Sequence, residues 1–299
     1  MTTFFPEGNL LRTGENKAAL SSLAALEKAM DGEKLLEAVA LRCEPDLTLL
    51  FDFNGIPGYL PKEEVALTEE GCELRDIAVI TRVGKPCVFL IDRIDPYPEP
   101  RVFLSRKKAQ EKCLNEYLDT LEVGDILPAK VTHLEPFGAF CDIGCGIPSL
   151  ISIDCISVSR ISHPSDRFFT GEEILCAVKA RDDRKLGRRG RISLTHKELL
   201  GTWQQNADRF RAGQTVMGIV RSVESYGIFI ELAPNLAGLA EWRDDVKPGD
   251  GCSVYIKSII PQKMKIKLVL IDTFRSPATL PTEYFIREGN VRDFHYQTT

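Results

Sequence analysis

The sequence predicts an all-β protein with short helical spacers, arranged as three tandem five-stranded barrels. Three observations predict it. A gapless internal repeat runs through the C-terminal two thirds, each copy holds five short strand-like runs, and a weaker copy precedes both. Five short strands in roughly 80 residues indicate a small closed barrel rather than a sandwich.

The repeat is read by setting VGDILPAKVTHLEPFGAFCDI (123–143) above AGQTVMGIVRSVESYGIFIEL (212–232), at a constant offset of 89 residues. Gly124 then meets Gly213, Val131 meets Val220, Phe137 meets Tyr226, Gly138 meets Gly227 and Phe140 meets Phe229. Each copy reads as a strand, a turn, an aromatic–Gly–x–Phe step and a second alternating strand. Residues 174–182 and 252–260 supply fourth strands, and 190–194 and 264–270 supply fifth strands. In the weaker copy the first three strands fall in 34–65, the fourth in 77–94 and the fifth in 101–109.

The expected organisation is an N-terminal segment with a helix (1–31), a degenerate barrel (32–112), a complete barrel (120–198), a shortened barrel (212–272) and a tail (273–299). Apolar stripes predict helices over 18–30, 105–121 and 197–210, packing barrel to barrel. The tail carries a candidate hairpin over 283–296, turning near Gly289.

Composition narrows the function. The chain has 299 residues, 43% hydrophobic and 27% charged, which is ordinary for a globular protein. It has no apolar run of membrane-spanning length and opens without a secretory pattern, so a cytoplasmic location is expected. Nine cysteines lack any CxxC spacing, which argues against a metal site. Cys141, Cys176 and Cys252 fall in strand-like stretches, where cysteine serves as a small hydrophobe. His133, His196 and His295 are scattered and form no cluster with Cys or carboxylates, and His163 reads as a loop residue. The net charge of −5 is unevenly spread. Residues 1–119 carry −6, residues 120–200 balance and residues 201–299 carry +1, so phosphate contact suits the later two thirds.

Two features of the second unit carry binding chemistry. Phe137 and Phe140 are three apart, and a bend or bulge at Gly138 would bring both rings to the outer surface, where bases can stack. The loop RDDRKLGRRGR (181–191) supplies Arg181, Arg184, Lys185, Arg188, Arg189 and Arg191 beside that face.

VGDILPAKV, FGAFCDIG, RISHPSDRFFTGEEI and RISL together resemble the repeat of ribosomal protein S1, and the resemblance extends over residues 33–272. It implies OB-fold barrels whose RNA face has two aromatics on strand two, a histidine ending strand three and an Asp–Arg pair at the last hairpin. In the second unit these positions hold Phe137, Phe140, Ser152, Asp182 or Asp183, and Arg191. In the third they hold Tyr226, Phe229 and Lys265, with Glu241 where the histidine would stand. In the first they hold Leu47, Leu50 and Pro61, and only Arg101 is kept. The second unit is therefore expected to be the principal RNA binder and the third a partial one. The first is expected to have exchanged RNA for protein docking, its leucine face covered either by the chain's own helix at 18–30 or by a partner, which the resemblance implies is the small ribosomal subunit.

The function expected is non-enzymatic binding of single-stranded RNA, mRNA included, in translation, with no cofactor. The alternatives are a protein-docking or RNA-regulatory factor, or a ribonuclease subunit. The last would need clustered carboxylates on a further scaffold.

Overall fold

A computed structural model describes residues 4–68, 71–182, 190–275 and 282–292. The first unit comprises β1 (Leu36–Val39), β2 (Arg42–Cys43), β3 (Leu49–Phe53), β4 (Ile56–Leu60), β5 (Pro86–Asp95) and β6 (Arg101–Ser105). Its sheet runs β1-β5-β6-β4-β3-β2. The two edge strands are halves of one first strand, interrupted at Ala40 and Leu41. Backbone bonds continue through the interruption, from Ala40 N to Lys85 O (3.2 Å) and from Leu41 N to Leu50 O (2.8 Å). The sheet thus curls back to its own beginning, and the seam is two residues wide.

The second unit is a closed barrel of β7 (Ile126–Glu135), β8 (Gly138–Asp142), β9 (Pro148–Ser152), β10 (Glu173–Arg181) and β11 (Ile192–Thr195). The third closes from β12 (Thr215–Glu224), β13 (Gly227–Ala233), β14 (Leu236–Ala240), β15 (Gly251–Ile260) and β16 (Lys265–Phe274). Alternation fills the interiors: Leu49, Phe51 and Phe53 of β3 are all buried while Asp52 is exposed. Cys141, Cys176 and Cys252 are fully buried in their strands, and burial pushes the Cys141 thiol up to about 12 and the Cys252 thiol up to about 11.

Five α-helices complete the described structure: α1 (Gly14–Ala19), α2 (Leu23–Asp31), α3 (Asp76–Ile80), α4 (Arg106–Glu116) and α5 (Trp203–Ala207). Three of them share one role. Leu26 and Ala29 of α2 enter the first core, Leu114 of α4 enters the second, and Trp203 and Ala207 of α5 enter the third. Each of these helices plugs the barrel that follows it. Each also starts on a hydroxyl cap, since Ser22, Ser105 and Thr202 accept from the backbone N–H of Ala25, Lys108 and Gln205.

The structure departs from the sequence expectations in the first unit, which is a six-stranded curled sheet where a closed five-stranded barrel is expected, and in the following elements. The helix expected over 18–30 is two helices, because Ser22 caps a new start at α2. The helix expected over 197–210 is a 3-10 turn and α5, because Gly201 at φ 79° ends the turn and Thr202 caps the helix. The fourth strand expected over 77–94 begins only at Pro86, and α3 takes its first residues with Val79 buried while Ile77 and Ile80 face solvent.

The described part of the tail forms a strap, and the second arm of the hairpin expected over 283–296 lies largely outside the described residues. The strap, 282–292, lies back on the second barrel. Val291 N bonds Gly124 O (2.8 Å), Phe285 N bonds Leu199 O (2.9 Å), and Asn290 bridges to Asp125.

Candidate nucleic-acid interface

The site is built on the turn between β7 and β8. Phe137 lies in that turn, outside both strands, so the alternation that would oppose it to Phe140 does not apply. Gly138 provides close approach rather than a bulge: a Cβ there would collide with the Ile151 carbonyl oxygen. The bulge sits on the facing strand, between Val131 and His133, and recurs in the third barrel between Val220 and Ser222. The expectation of a bend or bulge at Gly138 is corrected in this respect.

The outcome is an aromatic pair on the outer surface. Phe137 is 55% exposed, and its ring meets that of half-buried Phe140 edge-to-face, with centroids 6.0 Å apart at 88°. In the third barrel Tyr226, 68% exposed, meets Phe229 at 6.1 Å and 87°. Two barrels thus present the same motif in the same geometry. An exposed ring held by a half-buried neighbour is a platform for a base.

Neighbouring strands bring the remaining candidates to this face. Ser152 pairs with Gly138 across β8 and β9, and Ile153 N bonds Phe137 O (2.9 Å), so the backbone at Ser152 lies against the turn that carries the exposed ring. Its hydroxyl hydrogen-bonds the Asp154 carboxylate, which lies below its ordinary range chiefly for that reason, helped by Lys179. Asp182 and Arg191 close the base of the last hairpin through Asp182 N to Arg191 O (2.9 Å), and both are exposed. Arg191 also rims a cavity of about 300 Å³ beside Phe140, walled by Leu150, Ile192 and Ile147. Lys265 is exposed at the equivalent hairpin base of the third barrel, where Ile260 pairs with it. Asp183, Arg184, Lys185, Arg188 and Arg189 lie outside the described residues.

Arg181, expected among the loop's cations, is turned away. Its Nη1 donates to Asp119 O (3.1 Å) and to Leu121 O, which commits it to the segment entering the barrel. His133, which the sequence alone does not assign to the site, belongs to this face. Its ring stacks on Phe140 at 6.4 Å and 29°, and its Nε2 meets Glu135 Oε1 at 2.7 Å, so it has a carboxylate partner. The signal that could have found it is its place just after the bulge, which turns it toward the rings.

His196 has a different environment. It is fully buried, edge-on to Phe168 and Tyr284. Nδ1 meets Ile156 O at 2.8 Å and Nε2 meets the Tyr284 hydroxyl at 3.1 Å. Burial lowers its pKa to about 4, so the ring is neutral at pH 7. Among the described residues no group of three His, Cys, Asp or Glu could hold a metal, and no helix is long and apolar enough to cross a membrane.

Residues 120–197 match the S1 RNA binding domain, and that span holds the second barrel. Over 237 residues the chain is 31% identical to small ribosomal subunit protein bS1 of Leuconostoc lactis, covering 74% of this chain and 52% of that protein. It is 33% identical over 193 residues to the bS1 homolog of Bacillus subtilis, covering 62% and 47%. It is 27% identical over 288 residues to bS1 of Staphylococcus haemolyticus, covering 91% and 68%. The chain spans about half the length of the first two relatives.

Proposed function

We propose that this chain, a member of the ribosomal protein S1 family, holds single-stranded RNA on the outer faces of its barrels in translation. The observation that carries the reading is the repeated edge-to-face pair, Phe137–Phe140 and Tyr226–Phe229, each led by a ring more than half exposed. Bare aromatic surface on a soluble barrel is costly unless a ligand covers it, and every base offers a π-face.

The second barrel is the principal RNA contact in this proposal. It adds His133 beside the rings, Ser152 against the turn that carries Phe137, and Arg191 at the hairpin base. The third barrel is a partial one, because exposed Glu241 stands where the second has Ser152 and repels phosphate. The protein acts by binding and does not cleave what it binds. The small ribosomal subunit, named in its relatives, is the proposed destination, with the first barrel as the proposed point of attachment and the cytoplasm as the place.

A labelled poly-pyrimidine strand, titrated at two salt concentrations and run on one gel, tests the reading. Binding that weakens with salt and leaves the strand intact is expected. No retention even at low salt would overturn it, and shortened strands would favour the ribonuclease alternative. Co-sedimentation with purified small subunits tests the destination.

A further inference from the structure

Strand pairing places equivalent residues of the three barrels in lateral rows, and one row crosses the RNA face. In the second barrel it reads His133, Phe140, Leu150, Ser193 and Ala180, each paired with the next. In the third it reads Ser222, Phe229, Leu239, Lys267 and Ser258. In the first it reads Arg42, Leu50, Tyr59, Phe103 and Arg93. Both later barrels have phenylalanine on strand two opposite leucine on strand three. The first barrel has leucine on strand two and tyrosine on strand three. The aromatic–leucine pair is present in all three, with its members exchanged across a backbone ladder in the first.

The displaced ring is not alone. Tyr59 and Phe103 stack with centroids 5.7 Å apart at 28°, and the Arg93 guanidinium lies 3.9 Å from the Phe103 centroid. Both rings are half-buried, while Arg93 and Arg42 are exposed at the two ends of the row. Arg93 faces Asp95 (3.6 Å) and Arg42 faces Glu44 (2.8 Å), both at the surface, where a phosphate competes with such pairs. Asp95 pairs with exposed Arg101 at the base of the β5–β6 hairpin, where the second barrel has Asp182 and Arg191.

We propose that the outer face of the first barrel is a displaced stacking site for a base of single-stranded RNA, seated on Tyr59 and Phe103 and flanked by Arg42, Arg93 and Arg101. The proposal rests on the RNA-binding reading of the chain. The −6 balance of residues 1–119 does not oppose it. At physiological salt, charges beyond roughly 8 Å are largely screened, so the field is set by groups bordering the rings, among them Arg42, Arg93 and Arg101 against Glu44 and Asp95. A platform aromatic at its centre and cationic at both ends suits a base with its flanking phosphates.

The test uses the full chain and a labelled twelve-residue oligouridine, on two backgrounds: the natural sequence and Phe137→Ala/Phe140→Ala. Residual affinity of the double variant is expected to fall by roughly 5- to 150-fold on adding Tyr59→Ala, and to survive Tyr59→Phe. Arg93→Gln, a change at an exposed side chain, should weaken residual binding without lowering the melting temperature, which covers the case in which Tyr59→Ala fails to fold. Unchanged affinity in folded Tyr59→Ala and in Arg93→Gln would overturn the proposal while leaving the second barrel's role intact. If the natural chain fails to bind at all, the functional reading falls as well. Loss of small-subunit co-sedimentation with oligouridine binding unchanged would make this face a protein-docking surface and likewise overturn it.

Discussion

Arg167 of the second barrel reaches Glu231 of the third across 2.7 Å, with both side chains buried. They approach as an ion pair rather than an aligned hydrogen bond. Arg221 bonds the other oxygen of Glu231 through Nε, and its Nη1 lies 3.8 Å from Asp166. One repeat offset earlier stands Asp142, also buried at a junction, where it accepts from Glu7 N (2.7 Å). Glu7 in turn bonds Arg106 and Arg82. Burial would raise the Glu7 carboxyl, but the two guanidinium charges and the bonds of Arg106 and Val88 outweigh it and hold it at about 2. The same strand-two position therefore anchors each later barrel to what precedes it. In the first barrel the position is Asp52, exposed and bonded only locally, to Gly55 N (2.8 Å).

Glu231→Ala would leave Arg167 and Arg221 facing each other with no anion between them. Breaking a buried pair this way costs about 3–5 kcal/mol. Urea denaturation of the full chain should register a loss of that order. The double change Arg167→Met/Glu231→Leu should recover part of it, because it removes one of the two stranded charges and leaves Arg221 with Asp166 alone. A single-variant loss under about 1 kcal/mol would show that the junction opens to water.

Phe137→Ala should separate binding from folding. More than half of the ring is in solvent, so the melting temperature should stay within a few degrees of the parent. Affinity for single-stranded RNA should fall by about 1–3 kcal/mol if the ring stacks on a base. Phe140→Ala should lower affinity too, but it also removes a half-buried ring that supports Phe137 and His133. A fall in stability without a fall in affinity for Phe137→Ala would assign the ring to packing.

The two C-terminal barrels are legible in the sequence because identical spacing repeats period-2 alternation. The 89-residue offset aligns Phe137 with Tyr226 and Phe140 with Phe229, and their matched ring geometry follows. What a linear sequence hides is lateral. His133 joins Phe140, and Tyr59 stands opposite Leu50, through pairings between strands that alignment within a strand does not display. The −6 charge of residues 1–119 points away from the first barrel for a related reason. A sum over a segment says nothing about which face carries Arg42, Arg93 and Arg101. Helix breaks at Ser22 and Gly201 are hidden beneath continuous apolar stripes.

Gly138→Ala should damage the second barrel although the change is one methyl group. The new Cβ would collide with Ile151 O and meet Ser152 Cα at 3.1 Å, both backbone atoms that cannot swing aside. Overpacking of this kind costs about 1–3 kcal/mol. Gly14→Ala, with nothing within 4 Å, serves as the control and should cost nothing in a thermal melt. Equal effects of the two substitutions would contradict the close-approach argument.

Neutralising Arg188 and Arg189 should change salt dependence rather than base preference. For a single strand, each arginine–phosphate interaction removed should flatten the slope of log affinity against log salt by about 0.7. Titrations across a series of salt concentrations would measure it, and an unchanged slope would make both arginines bystanders.

His196 should make stability depend on pH between about 4 and 6.5. Its ring has no room for a second proton without giving up a bond. Leu175 N donates to the Tyr284 hydroxyl (3.1 Å), which leaves that hydroxyl to donate to Nε2, while Nδ1 donates to Ile156 O. Protonating Nε2 would set a donor against a donor in a site shielded from water, with the Arg167 charge nearby adding repulsion. The folded pKa of about 4 lies below the ordinary 6.5, so the unfolded chain binds more protons within that window. Stability from this source is complete above pH 6.5 and shrinks as pH falls, by about 2 kcal/mol on reaching pH 5. Asp142 acts oppositely, since burial and the Glu7 charge raise it to about 6 and the folded state then gains protons first. The two are separated by comparing the parent with His196→Phe in urea at about pH 7.5 and about pH 5, because Asp142 is common to both. The variant should be less stable at the higher pH, having lost two hydrogen bonds, and the gap should narrow by about 2 kcal/mol at the lower one. A gap that holds constant would mean that His196 gains its proton as readily folded as unfolded, and that the strap through Tyr284 is indifferent to acid.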